Sequence, residues 1–180
     1  MKGLFKSFRD KRRMKQEVHL LYKQLVDQAR KPVLYQPPYS IEDTIDGRFS
    51  LILLHLFIVD RALSDASRDN VIRRMLQETL VSDMDRSLRE LGVGDMSVGK
   101  EMKKVGATLL GCMKSYSEAM NSDDKTTSLK AVIIRNITEN EEAASALATY
   151  TLDTVQLISY NWNINDLHTK NVFNPTVATK

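Results

Sequence analysis

The chain has 180 residues, 42% hydrophobic and 27% charged, with a formal net charge of +3. That length suits one domain with a real core, and the single cysteine, Cys112, excludes an intrachain disulfide or a cysteine-based zinc site and fits a reducing compartment. Seven glycines and four prolines, three of the prolines falling between Pro32 and Pro38, leave long uninterrupted stretches that favour helices over many short strands.

The first fifteen residues hold Lys2, Lys6, Arg9, Lys11, Arg12, Arg13 and Lys15 against Asp10 alone, a net of +6 that leaves −3 for the rest. The basic character therefore belongs to an N-terminal arm, residues 1–15, and not to the domain that follows. Leu4, Phe5 and Phe8 sit among these cations. Wound as a helix, they set a small apolar face beside a basic one that includes Arg12 and Arg13. That is the arrangement of a weak interfacial anchor on an anionic membrane. A basic arm touching RNA or a ribosome and a solvated tail are the competing readings. No apolar region follows the charges, so no secretory signal is expected.

Val18, Leu21, Tyr22, Leu25, Val26 and Ala29 form an amphipathic stripe that predicts a helix from about Met14 to Arg30. Pro32, Pro37 and Pro38 then impose an extended loop. Asp43 is positioned to cap a second helix, which ends near Leu63. It carries the longest apolar run, Leu51 to Val59, with His55 inside it. That run falls far short of the roughly 20 residues that span a bilayer, so it reads as a core helix buried on most of its faces. A third helix is predicted from about Asp69 to Leu91, with Ile72, Leu76, Leu80, Met84, Leu88 and Leu91 on one face. A fourth opens at about Val98 and carries Met102, Val105, Leu109, Cys112 and Tyr116 to an end near Met120. A shorter helix holds Leu129, Val132, Ile133 and Ile137. Thr138-Glu-Asn-Glu141 matches a capping box and opens a last helix through Ala148, Leu152, Val155 and Trp162. The tail after Asp166 is polar and is expected to be loose. The fold class is all-α: a single domain of about six helices, residues 16–165, in orthogonal or bundle-like packing, followed by a flexible tail, 166–180.

Catalytic constellations are missing from this sequence. His19, His55 and His168 lie far apart and make no metal-ligand spacing. His55, in its apolar run, reads as a hydrogen-bonded core histidine, and Cys112, on a helical stripe, as packing. Asp83 and Asp85 are two apart on a helix and do not share a face, so they make no magnesium pair. Gly92-Val-Gly94 lies between helices with no strand before it, so it is no dinucleotide fingerprint. No catalytic residue, metal or cofactor is expected. Six methionines (Met75, Met84, Met96, Met102, Met113 and Met120) fall within the third and fourth helices and their turn. Core filling explains most of them; Met96, in the turn, is the least easily explained that way.

The most informative stretch is Asp83 to Lys100, a charged helix end, a glycine-punctuated turn and the start of a second helix. Gly92 stands where a helix C-cap takes a left-handed residue, and Asp95 or Ser97 is placed to cap the next helix. Asp83, Asp85, Arg86, Arg89 and Lys100 surround the turn. Arg86 and Arg89, three apart, would present a joint cationic edge to the carbonyl-rich or acidic ends of a partner's helices. Gly92 and Gly94 would allow close backbone approach. Asp83, Asp85, Arg86, Arg89, Gly92, Gly94, Asp95, Met96 and Lys100 are the candidate binding edge. Arg30, Pro32, Asp46, Gly47, Arg48, Phe49 and His55 form a candidate structural motif, in which Gly47 implies close packing at a helix start and Arg48 is expected to pair with Asp83 or Asp85 across the helices.

Three of these segments carry a family resemblance: Leu21-Tyr-Lys-Gln-Leu-Val-Asp-Gln-Ala-Arg-Lys-Pro-Val-Leu-Tyr35; Asp43-Thr-Ile-Asp-Gly-Arg-Phe-Ser-Leu-Ile52 with His55 after it; and Asp83 to Asp95 with Val98-Gly-Lys100. On them the chain resembles the ubiquinol–cytochrome c chaperone family, assembly factors for cytochrome b of the cytochrome bc1 complex. The likeness covers residues 18–120. It implies a non-enzymatic chaperone without a cofactor, which holds newly made cytochrome b, or other bc1 subunits, at the membrane surface. Mitochondrial relatives act with a small partner protein and near the ribosome, and no specific nucleic acid is implied. An Arg- and Ser-rich, acid-poor leader is missing, so a bacterial member on the cytoplasmic face of the inner membrane is expected; a eukaryotic one would sit on the matrix side. Two alternatives come from other classes. An α-helical enzyme or carrier for an isoprenoid or quinone would need a deep apolar cavity with convergent polar groups. A ribosome or RNA adaptor would lose affinity steeply with salt.

Overall fold

The computed structural model describes residues 2–65, 70–163 and 170–173, with side chains from Lys11 onward. The side chains of Leu4, Phe5 and Phe8, and residues Asp69, His168 and those beyond Phe173, lie outside the described residues. The described residues form six α-helices in order: α1 Lys2–Ala29, α2 Ile45–Asp65, α3 Asn70–Glu90, α4 Asp95–Met120, α5 Lys125–Asn136 and α6 Glu141–Asn161. A 3-10 turn, Pro32–Tyr35, stands between α1 and α2. The described residues contain no strand, so the all-α expectation holds.

The second helix is the axle of the fold. Every residue from Leu51 to Asp60 is buried, the signature of a helix apolar on all sides. The neighbours α1, α3, α4 and α6 all pack on it. Helices α2 and α6 run parallel: His55 meets Tyr150, and the Ala62 carbonyl accepts from Ser159. Phe57 stacks on Tyr116 of α4 with ring centres 5.1 Å apart. Asp60, 6% exposed, is a buried charge that keeps its partners. Arg73 of α3 donates to both its oxygens at 3.1 and 2.7 Å, and Gln77 adds a bond at 3.2 Å.

Several boundaries differ from expectation. Helix α1 starts at Lys2 rather than near Met14, so the basic arm is helical and continuous with the body. Packing begins only at Met14, which is half-buried, while Lys11, Arg12 and Arg13 are exposed. Helix α2 takes Thr44, not Asp43, as its capping side chain: Thr44 Oγ1 accepts from Gly47 N at 3.0 Å. Helix α4 opens at Asp95, with Gly94 rather than Asp95 or Ser97 in the cap position. Helix α6 is capped by Asn140, which accepts from Glu142 N and Ala143 N at 2.9 and 3.0 Å, instead of by Thr138. An amide oxygen one residue before the helix reaches those donors without the longer route a Thr138 box requires.

The tail, expected to be loose, is seated where it is described. Gln24 donates to the Lys170 carbonyl at 3.1 Å and accepts from Val172 N at 2.9 Å. Phe173 is 2% exposed, its ring 5.7 Å from that of His55. An aromatic side chain within reach of an apolar core outweighs the polar composition around it.

Candidate functional site

Helix α3 ends in a turn whose backbone explains its glycine. Gly92 has φ of +80°, a left-handed conformation. Gly92 N donates to Arg89 O at 3.0 Å and Val93 N donates to Leu88 O at 3.1 Å. Together they make a Schellman termination, which satisfies two carbonyls at the helix end. Two residues later Gly94 O accepts from Ser97 N and Val98 N at 2.8 and 3.1 Å, starting α4. Gly94 itself sits at φ −63°, so its backbone does not require glycine.

Charged side chains brace this hairpin. Arg89 donates to Asp85 Oδ2 at 2.8 Å within α3 and to Asp95 Oδ1 at 2.6 Å in α4, tying the two helices across the turn. Arg86 pairs with Asp83 Oδ1 at 2.5 Å. The other oxygen of Asp83 accepts from Tyr22 OH of α1 at 2.9 Å, a partner 61 residues away. Burial, with Asp83 beside it, pushes the Tyr22 phenol pKa up. The Arg89 hydrogen bond holds the Asp85 carboxyl below the usual carboxylate range.

These pairs correct one expectation. Arg86 and Arg89 do not offer an unopposed cationic edge, because each already faces an aspartate three to six residues away. Closely spaced opposite charges at a helix end pair locally before they reach a partner. What the turn presents instead is apolar. Met96 is 99% exposed and Leu91 74% exposed on either side of the glycines. Lys100 is exposed in the next helical turn and makes no ion pair among the described residues. Between α3 and α4 lies an open groove of about 630 Å³ lined by Val81, Met102 and Leu109 together with Arg74, Glu78 and Asp85.

The candidate structural motif separates into two places. His55 is fully buried. Its Nδ1–H donates to Leu51 O at 2.7 Å, which leaves Nε2 to accept from Tyr150 OH at 2.7 Å. Gln28 donates to the same hydroxyl at 3.0 Å. Burial pushes the His55 pKa down to about 4. Gly47 sits where an added Cβ would lie 2.2 Å from the Glu42 carbonyl oxygen, so only glycine fits. Phe49 is half-buried against the core, and Asp46 is exposed in the first turn of α2. Arg48 does not reach Asp83 or Asp85. It pairs with Asp43, five residues back, through Nε to Oδ1 and Nη2 to Oδ2. The loop folds Asp43 back beside the first turn of α2, so the local acid is nearer than those on α3. Arg30 and Pro32 line a cleft with this pair.

Two residues of these networks have partners that their place in the sequence does not announce. Tyr22 was read only as part of a buried stripe, although a tyrosine there needs a hydroxyl partner. Asp43 was assigned to a cap. Among the described residues no group of three or more His, Cys, Asp or Glu stands together as a metal site, and no helix is long and apolar enough to cross a membrane.

No curated protein matches the chain. The crystal structure of the Cbp3 homolog from Brucella abortus is similar at 27% identity with a TM-score of 0.74, covering 91% of this chain and 92% of that one. The family model described as ubiquinol–cytochrome C chaperone matches residues 39–160. That match takes in the buried α2, the braced α3–α4 hairpin and most of α6, the elements that build and position the site. The chain therefore belongs to the ubiquinol–cytochrome c chaperone family.

Proposed function

We propose that this protein is a non-enzymatic assembly chaperone that captures newly made cytochrome b at the membrane surface through the α3–α4 hairpin. Family membership supports the chaperone role. The observation that carries the site is the pairing of a rigidly braced turn with exposed Met96 and Leu91. A fixed backbone loses little entropy on binding, and methionine adapts to varied apolar partners. Cytochrome b before assembly offers such partners in the ends of its membrane helices. In this reading Asp83, Asp85, Arg86, Arg89, Gly92, Gly94 and Asp95 hold the shape of the edge, Met96 and Leu91 make the apolar contact, and Lys100 meets helix-end carbonyls.

Residues 2–13 are the membrane contact in the same reading. They continue α1 before its packing begins, and a helix that short is marginal alone in water. An anionic surface with an apolar interior would hold it. Because arm and body share one helix, the membrane would orient the body along α1.

Replacing Met96 and Leu91 together with serine tests the edge. The double variant is expected to unfold as the wild type does, since both side chains are exposed, while cells carrying it accumulate less assembled bc1 complex. Normal assembly with the double variant would remove the hairpin from the account.

A further inference from the structure

Between α1 and α2 the chain is wound into a fixed bowl. Pro32 starts the 3-10 turn. Gln36 O accepts from Tyr39 N and Ser40 N at 3.0 and 2.9 Å, and Leu34 O accepts from Ile41 N at 3.1 Å. Leu34, Tyr39 and Ile41 are buried. Ser40 has φ of 47°, a left-handed conformation that L residues adopt at a cost and keep only where the surroundings fix it. The bowl opens on a cleft of about 580 Å³ lined by Arg30, Pro32, Tyr35, Gln36, Asp43 and Arg48.

The charges of this cleft are unequal in their commitments. Asp43 is held by both arms of the Arg48 guanidinium, so its carboxylate is not open to a cation. The Tyr35 hydroxyl donates to Ala29 O at 3.0 Å. Arg30 has no such partner among the described residues: it is exposed, and its guanidinium makes no hydrogen bond or ion pair there. Two cations and one acid leave the lining with a net charge of +1, and the unmatched charge is a planar donor fork at the cleft wall. Such a fork takes two oxygens of a carboxylate or phosphate side by side.

We propose that this cleft binds a small oxyanion, a carboxylate or phosphate group, with Arg30 as the primary ligand and Arg48 as a second donor shared with Asp43. Pro32 and the ring of Tyr35 supply an apolar wall for whatever carries the anion. The site is separate from the α3–α4 edge and does not depend on the chaperone reading.

Titration of the full chain followed by amide and guanidinium NMR tests it, with inorganic phosphate in one series and citrate in another at constant ionic strength. Saturable shifts confined to Arg30, Tyr35, Gln36 and Arg48 are expected from at least one of the two anions. Arg30→Gln should abolish the saturation. Asp43→Asn, which frees Arg48, should tighten binding about fivefold, the scale of one exposed ion pair. Should Asp43→Asn disturb the start of α2, the Arg30→Gln comparison decides alone. Shifts that fail to saturate and spread over the arm and other surface cations, or an Arg30→Gln protein that titrates like the wild type, would overturn the proposal.

Discussion

His55 gives the fold a pH dependence with a definite sign. The imidazole is fully buried and its pKa is pushed down to about 4 from the ordinary 6.5. Between those values the unfolded chain binds a proton that the folded chain does not, so acidification favours unfolding. The stability is complete above about pH 6.5 and declines as pH falls toward 4, by about 3 kcal/mol in all. Urea unfolding at pH 7.5, 6 and 5 should show the decline, and His55→Gln should flatten it while sparing the Tyr150 hydroxyl a partner. A wild-type stability that is level or rising on acidification would contradict this assignment. The hydrogen bonds from Arg48 and Arg89 hold the Asp43 and Asp85 carboxyls below the usual carboxylate range, so they stay out of that window. The sequence shows that an imidazole inside an apolar run needs hydrogen-bond partners. It does not show that Tyr150, 95 residues away, supplies one. Arg48 illustrates the reverse: its partner lies in the same short segment, and a cross-helix acid was expected instead.

The α3–α4 hairpin was legible in its periodicity and its glycine stop, because both follow from local backbone geometry. Its charge pattern was not, because Asp83, Asp85, Arg86, Arg89 and Asp95 can pair in several ways, and only the folded distances choose among them. Its glycines separate by the same local logic. Gly92→Ala forces φ of +80° on a residue with a Cβ and should cost about 1 kcal/mol. Gly106→Ala lies inside α4, where an added Cβ meets nothing within 4 Å, and should stabilise by about 0.5 to 1 kcal/mol. Chemical denaturation of the two variants beside the wild type checks both signs. If Gly92→Ala is neutral, the turn is not held in the left-handed conformation. If Gly106→Ala destabilises, α4 is covered there by something the isolated chain does not show.

For the assembled molecule, the contacts set direction. Helices α1 and α3 touch through Tyr22 and Asp83, and each runs seven residues further to its end. Lys15 to Tyr22 lie beside Met75 to Arg86 in the same sense, so Arg30 and the α3–α4 turn fall at one end of this helix pair and residues 2–13 toward the other. Helix count and order could be read from the sequence, since stripes and breakers are local. Which stripes face each other could not, nor could the seating of Phe173, because both depend on residues far apart in the chain meeting in one core. Deleting residues 2–13 should release the protein from anionic vesicles and leave thermal unfolding nearly unchanged, since packing begins at Met14; equal vesicle binding by the truncated chain would count against the arm. Capture of cytochrome b at the hairpin can be read from a photo-crosslinking residue placed at Met96 in native membranes. A matched control carries it at Tyr160, which is 90% exposed and outside the hairpin. A cytochrome b adduct is expected from position 96 and little from position 160. Adducts of equal yield from both positions, or an adduct from position 160 alone, would contradict it.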